Sequence, residues 1–415
     1  MVTAIGGLTY LWLLSRSWVG RDQILLLRLG EDLVLTGTLS PMAKAMSGGG
    51  TIPGSLLQIL IGLPLYVWQD YRAPLILVGL FNFLAGLILY RVIKKETDGQ
   101  TALIYFALYW LSPWRIYHAA LFWEPAYLLL PSALHLWACS KLQKEKIWLP
   151  SAVLGMVLLL TPQLHGSFLF LSILTALLVF KKKIRIQWAG FAIGSILGSL
   201  TLVPFAIAFI TQTLPSSLPS EGFIGRGFLF VYPALKGAIF FLRLPTLDIS
   251  EAFKEIIYFD RPIAAPTMIL LRLVQVLLTL TIAISLRIAW EYLKGWRKKG
   301  ETATKYSWLE AYAGYSAIAL IIAAGLAPFD LQSWQVIIAL HAALIPFAIW
   351  ITRIIRRYGR RAEFAFVAYC LLGVVSILII GLGKPSFRKE AIPREVLKAP
   401  TVTKLLPPNL PLERQ

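Results

Sequence analysis

Apolar residues in this chain run unbroken for long stretches instead of alternating with polar ones. The stretches are roughly 15–24 residues long, enough to cross ~30 Å of hydrocarbon as a helix rising 1.5 Å per residue. Inside lipid, each backbone amide must find its partner within its own segment, so each run is predicted to be helical. A membrane β-barrel needs alternating segments of ~10 residues, and the sequence has none. The pattern predicts an all-α, polytopic bundle of about eleven spans. They cover residues 2–18, 74–92, 101–113, 124–140, 148–163, 167–180, 187–210, 266–289, 308–327, 334–352 and 364–382. Residues 1–382 form the helical domain, and 383–415 form a basic tail that contains proline.

Composition agrees with the pattern. The apolar fraction is 57%, the charged fraction 15% and the mean hydropathy +0.70. Soluble domains lie nearer 45–50% apolar. The formal net charge of +19 would suggest nucleic acid in a soluble chain. Here 21 of the 40 Lys and Arg fall in five short loops, at 91–95, 141–146, 181–185, 287–305 and 353–361. Cations gathered beside spans mark the cytoplasmic side, which argues against nucleic acid and orients the bundle with its N-terminus inside. The outer segments are then 16–73, 112–125, 161–167, 211–266, 327–334 and the tail from Gly383. The tail's seven Lys and Arg sit awkwardly on that side. The first run lacks a basic lead and a small-residue cleavage site, so it does not read as a signal peptide.

Residues 55–68 are also apolar. If they crossed, every later basic loop would change sides. A short run interrupted by Pro64 is more easily folded back, so it is expected to be a re-entrant or juxtamembrane helix on the outer side. Glycines 190, 194 and 198 form a ladder that predicts close helix packing. Cys139 and Cys370 both lie in apolar runs and read as buried thiols. No zinc spacing, phosphate-binding glycine loop or nucleophile elbow occurs.

Candidate chemistry concentrates in the outer loops, two of which, 16–73 and 211–266, exceed 50 residues. Loops that long beside a bundle are usually functional. Asp22 stands where the first run leaves the membrane, beside Arg21. Ile24, Leu25, Leu27, Leu29, Leu33 and Leu35 follow as one apolar face, with Arg28, Glu31 and Asp32 opposite, which describes an interfacial amphipathic helix ending at Gly37. Gly48–Gly50 read either as a linker or as backbone that approaches a phosphate. In the second loop Glu124 enters an apolar helix just before Pro125. A carboxylate at membrane depth is costly and marks a functional position. Arg115 and His118 lie in the same loop. Further on, Arg226, Tyr232, Lys236 and Arg243 punctuate an aromatic stretch, as snorkelling cations or as contacts for an anionic lipid head group.

These segments resemble the GT-C glycosyltransferases that use polyprenyl-phosphate sugars, including the protein mannosyltransferase-like and aminoarabinose transferase-like families. In those proteins an Asp-Glu pair follows the first span, then a juxtamembrane helix, then a turn with Gly and Pro before another apolar helix. Asp22 matches the first acid, while Gln23 stands in place of the second. LLLRLGEDLVLTGTLSP matches the juxtamembrane helix, and SGGGTIPGSLLQILIGLPLYVW the turn and the helix after it. Thr51, Ile52 and Pro53 occupy the area of that turn's lysine. Glu124 matches the acid that closes the second outer loop. The resemblance covers residues 16–140 by motif and the remainder by layout.

The resemblance implies a GT-C bundle with juxtamembrane helices in its first outer loop. It also implies an inverting glycosyltransferase of the cell (inner) membrane. That enzyme would move a sugar from a polyprenyl-phosphate donor to a glycan, lipid or protein acceptor at the outer face. Asp22 is then expected to be the general base and Glu124 to orient the acceptor or Asp22. Arg21, Arg115, His118, Arg226, Tyr232, Lys236 and Arg243 are expected to bind substrate. No cofactor is required by any motif, and a divalent metal stays open. An O-antigen ligase or polymerase would rely on Arg and His in a large outer loop. A transporter would need mid-span acids and inverted repeats, which the sequence lacks.

Overall fold

The computed structural model of the chain describes residues 1–15, 21–45, 51–120, 123–214, 231–249, 256–258, 264–297, 307–327, 331–382 and 384–385. In chain order its helices are α1 (Val2–Leu14), α2 (Arg21–Thr36), α3 (Leu56–Val67), α4 (Arg72–Glu96), α5 (Gly99–Trp110), α6 (Pro113–Ala120), α7 (Leu129–Leu142), α8 (Trp148–Leu160) and α9 (Phe168–Phe180). They continue as α10 (Trp188–Ser199), α11 (Val203–Ile210), α12 (Val231–Arg243), α13 (Ala264–Leu280), α14 (Ile282–Arg297), α15 (Ser307–Leu326), α16 (Ser333–Val336), α17 (Leu340–Tyr358) and α18 (Arg360–Leu382). Two antiparallel ladders break the all-α pattern: β1 (Met42–Ala45) with β2 (Thr51–Pro53), and β3 (Ile256–Tyr258) with β4 (Lys384–Pro385).

Six helical stretches among the described residues are long and apolar enough to cross a membrane. They are Arg72–Glu96, Trp188–Ile210, Ala265–Tyr292, Trp308–Leu326, Ser333–Tyr358 and Arg360–Leu382. Each falls on one of the predicted runs. The other five runs hold the shorter helices α1, α5, α7, α8 and α9. Length and composition therefore single out six spans, fewer than the eleven expected.

Contacts between loops distinguish the two ends of the bundle. At one end Ser140 and Gln143 donate to Glu96 Oε1 (2.7 and 2.9 Å), and Arg185 N–H donates to the Leu142 carbonyl (2.8 Å). Trp308 Nε1 donates to the Lys183 carbonyl (3.3 Å), Arg353 pairs with Glu310 (3.0 Å) and Arg356 with Asp98 (3.0 Å). The basic loops thus meet one another. At the other end Ser55 N–H donates to the Thr201 carbonyl (2.9 Å), Gln163 joins Thr201 and Gly198, and Ser167 Oγ donates to the Gln335 carbonyl (2.7 Å).

Helix α3 leaves from Ser55 at this second end. Helix α4 reaches the basic end at Glu96, so its start at Arg72 is also at the second end. Residues 55–68 therefore begin and finish on the same side, as expected of a folded-back helix. α3 lies against α2 through two glycines. A Cβ at Gly30 would run into the Ile61 side chain, and one at Gly62 would come 2.9 Å from the Gly30 carbonyl. This close approach rotates α2 away from the expected face: Ile24, Leu26, Leu27 and Gly30 are buried, while Leu35 is exposed. α2 ends, as expected, at Gly37, whose φ of +66° suits a glycine after a helix C-terminus.

Two of the apolar runs contain a 3₁₀ turn near their start. Glu124–Leu128 forms a 3₁₀ turn leading into α7, and Ile337–Ala339 forms another between α16 and α17. The two turns pack together, and Ser132 Oγ donates to the Ile338 carbonyl (3.0 Å). Deeper in the bundle the Tyr312 hydroxyl lies 2.9 Å from His135 Nδ1 and 3.0 Å from His341 Nε2, which ties α7, α15 and α17 together.

Candidate active site

Among the described residues, the second end carries the densest charge constellation outside the basic loops. Lys44 Nζ lies 3.2 Å from Asp22 Oδ1 and 3.1 Å from Glu124 Oε1. Three parts of the chain far apart in sequence supply these groups. Asp22 sits in the first turn of α2, where the helix N-terminus favours a negative charge. Lys44 is held on β1 by its pairing with β2. The hairpin is pinned below by Ser55 Oγ donating to the Ser40 carbonyl (2.7 Å) and Ser40 N–H donating to Gln58 Oε1 (2.7 Å). It leaves through Gly54 at φ +85°, where a Cβ would stand 2.6 Å from Gln163 Oε1 and 2.9 Å from the Thr201 carbonyl. Glu124 opens the 3₁₀ turn before α7. That turn is anchored to α4 by Asn82 Nδ2 donating to the Ala126 carbonyl (3.4 Å). Asn82 lies ten residues into α4, which puts this anchor of the turn about 15 Å along the helix from its start.

The three groups differ in exposure. The Asp22 side chain is 49% exposed, that of Lys44 13% and that of Glu124 9%. Glu124 Oε2 is buried and has no hydrogen-bond partner among the described residues. A carboxylate so enclosed is tolerable only with a cation against it, and Lys44 is that cation. Burial works against the Lys44 ammonium. The attraction of Glu124 and then Asp22 outweighs burial and holds its pKa above the ordinary lysine value. The arrangement offers one open carboxylate facing solvent and a fixed positive charge behind it.

His165 lies on the neighbouring turn between α8 and α9. Its Nδ1 is 2.7 Å from Ser167 Oγ. Burial, with the Lys44 charge acting in the same direction, pulls its pKa down to about 4, so the imidazole is neutral at pH 7. A cavity of about 40 Å³ opens beside it, bounded by His165, Ser167, Phe170, Leu320, Ala324 and Gln335. Trp123 and Trp334 lie against each other with ring centroids 5.1 Å apart and ring planes tilted by 49°.

The other expected site residues are placed as follows. Arg115 is fully buried. It donates to the Trp110 carbonyl (2.6 Å from Nη2) and lies over the Trp110 ring, so it closes the C-terminus of α5. Burial lowers its pKa to about 10. His118 is buried between Trp114 and Trp123, its Nδ1 unbonded among the described residues, and burial lowers its pKa to about 3. Tyr232 is exposed on α12, Lys236 lies over the Phe240 ring, and Arg243 pairs with Asp248 (3.1 Å). None of the contacts named for these residues reaches Asp22 or Glu124. Arg226, Gly48–Gly50 and the Arg21 side chain lie outside the described residues. The structure thus brings Asp22 and Glu124 together and adds Lys44. The sequence reading put Thr51, Ile52 and Pro53 in the place of a lysine. They form β2, and the opposite strand carries the lysine. Its signal was the lone cation in MAKA, a four-residue strand too short to register as periodicity.

The two carboxylates could suggest a divalent cation. The residues present do not fit one: the Lys44 ammonium takes the position between them, and no group of three His, Cys, Asp or Glu among the described residues converges on a common point.

No family model matches the chain, and no curated protein matches it. Among solved structures the chain is similar to the Archaeoglobus fulgidus oligosaccharyltransferase. Against the apo form the TM-score is 0.45 at 12% identity, covering 92% of this chain and 56% of that one. Against the form tethered by a disulfide bond to an acceptor peptide containing the NVT sequon it is 0.43 at 12% identity, covering 92% and 55%. The chain spans about half the length of these structures.

Proposed function

We propose that this protein is a membrane glycosyltransferase of the GT-C type. It would move a sugar, with inversion, from a polyprenyl-phosphate donor to an acceptor hydroxyl at the outer face of the cell membrane. The observation that carries the reading is the meeting of Asp22 and Glu124 on Lys44, at the end of the bundle opposite the basic loops. A single displacement at an anomeric carbon needs a base on the acceptor and charge relief on the leaving group. Asp22, half exposed, is the base and takes the acceptor's proton. The acceptor oxygen forms its bond to the anomeric carbon as the bond from that carbon to the phosphate oxygen breaks. The bonding pair leaves with the lipid phosphate, and Lys44 offsets its charge. Glu124 keeps Lys44 in place and does not itself exchange a proton with substrate. The apolar α2 and α3 hold the lipid tail at the interface.

The reading is tested with Asp22→Asn. Sugar transfer from a polyprenyl-phosphate donor should be lost, while expression and insertion stay normal. Full transfer by that variant would remove Asp22 from the mechanism and most of the case with it.

A further inference from the structure

The groups around Lys44 close into a ring. Trp123 precedes Glu124 in the chain, and Glu124 pairs with Lys44 (3.1 Å). The hairpin that carries Lys44 packs through Gly54 against Gln163, two residues before His165. His165 Nδ1 lies 2.7 Å from Ser167 Oγ, which donates to the Gln335 carbonyl (2.7 Å). Gln335 follows Trp334, and the Trp334 ring lies against that of Trp123, centroids 5.1 Å apart and planes tilted by 49°. The ring therefore has an ionic side, an imidazole side and an aromatic side. Trp123 and Trp334 are both half-buried, so the pair keeps ring surface open.

We propose that this ring is the subsite for the sugar that is transferred, with the Trp123–Trp334 pair as the wall against which the sugar's C–H face packs. The inference rests on the proposed function, which places the donor phosphate at Lys44. In such a donor a single oxygen separates the phosphorus from the anomeric carbon, so the sugar must lie among the groups that ring Lys44. A pyranose presents carbon-bound hydrogens on its faces and hydroxyls around its rim. Aromatic faces carry negative charge density that attracts the former, and neutral His165 can donate to or accept from the latter. A ring of apolar wall and few polar groups is how small-molecule sites fix orientation. Phosphate and sugar recognition thereby fall to different residues, Lys44 and Trp334.

The test separates the two. The full-length protein, purified in detergent, is titrated with citronellyl phosphate and with citronellyl phosphate carrying mannose, glucose, galactose or arabinose. Dissociation constants are read from thermal-shift curves for the wild type, Trp334→Ala and Trp334→Phe. For at least one sugar the wild type should bind the glycosylated probe more tightly than citronellyl phosphate alone. Trp334→Ala should lose about three- to tenfold of that gain, the worth of one aromatic contact. Trp334→Phe should retain most of it, and both variants should bind citronellyl phosphate as the wild type does. The proposal fails if Trp334→Ala keeps the whole gain, or if no sugar adds affinity in the wild type while citronellyl phosphate still binds; the donor reading then stands. If the wild type binds none of the probes, the donor reading fails and takes this one with it.

Discussion

Lys44 decides whether the site it shares with Asp22 and Glu124 is stable. It is a cation with little exposure set against a carboxylate with less. Removing one partner of such a pair strands the other, at a cost of roughly 3–5 kcal/mol, whereas replacing both is far milder. Lys44→Met should therefore lower the unfolding midpoint in detergent sharply, and Lys44→Met with Glu124→Gln should recover much of the loss. Equal midpoints for the single and double variants would show that Glu124 does not depend on this lysine. At this scale the sequence was partly legible. Asp22 and Glu124 stood out because acids at the membrane edge are rare and costly. Lys44 did not, because a single lysine in a polar loop looks like any solvated charge until the hairpin pairs. His165, Trp123 and Trp334 were invisible as a group, since only the packing of α16 on the 3₁₀ turn at Glu124 brings them together.

At the scale of elements, long apolar runs became helices where hydropathy placed them. Their interruptions were only partly readable: Glu124 and Pro125 mark the 3₁₀ turn at 124–128, whereas that at 337–339 is wholly apolar sequence. The glycine ladder, by contrast, was legible and has a plain physical basis. α10 presses its glycines against the backbone of α8, so that a Cβ at Gly194 would collide with the Ala152 carbonyl, and one at Gly198 would stand 2.8 Å from the Met156 carbonyl. Gly155 returns the favour from α8, facing the Phe191 carbonyl. Backbone cannot move aside as a flexible side chain can, and overpacking costs about 1–3 kcal/mol or more. Gly194→Leu should therefore yield a protein that unfolds well below the wild type on heating in detergent, although leucine is the better helix former. Unchanged stability would mean that the two helices can part without penalty. On α2 the apolar residues were seen but their facing was not, because Gly30 and Gly62 set it.

For the whole molecule, the segregation of charge was the most informative feature of the sequence. Cations in five loops were read as one side, and those loops meet at one end of the bundle through Glu96, Asp98, Glu310 and their partners. Which side of the membrane that end faces is open to direct measurement. Cys139 and Cys370 are both buried, so the background is low. Lys95→Cys, at an exposed position, should resist a membrane-impermeant maleimide in intact cells and react once the membrane is opened. Labelling in intact cells would invert the orientation and put the Asp22 site inside. The span count was less legible than the gathering of the basic loops at one end. Helices such as α1 and α9 have 13 residues each, and length alone does not tell a tilted span from a partial one.

The ring around Lys44 has a consequence for how the protein is made. Its members enter the membrane in chain order, Lys44 early and Trp334 among the last. A nascent chain that has inserted only its first half already holds both acids and the lysine, yet has no aromatic side to its ring. Completeness of the site thus coincides with completeness of the bundle. A ribosome-bound fragment that ends before Trp334 therefore carries the charged groups without the aromatic pair that faces them across the ring.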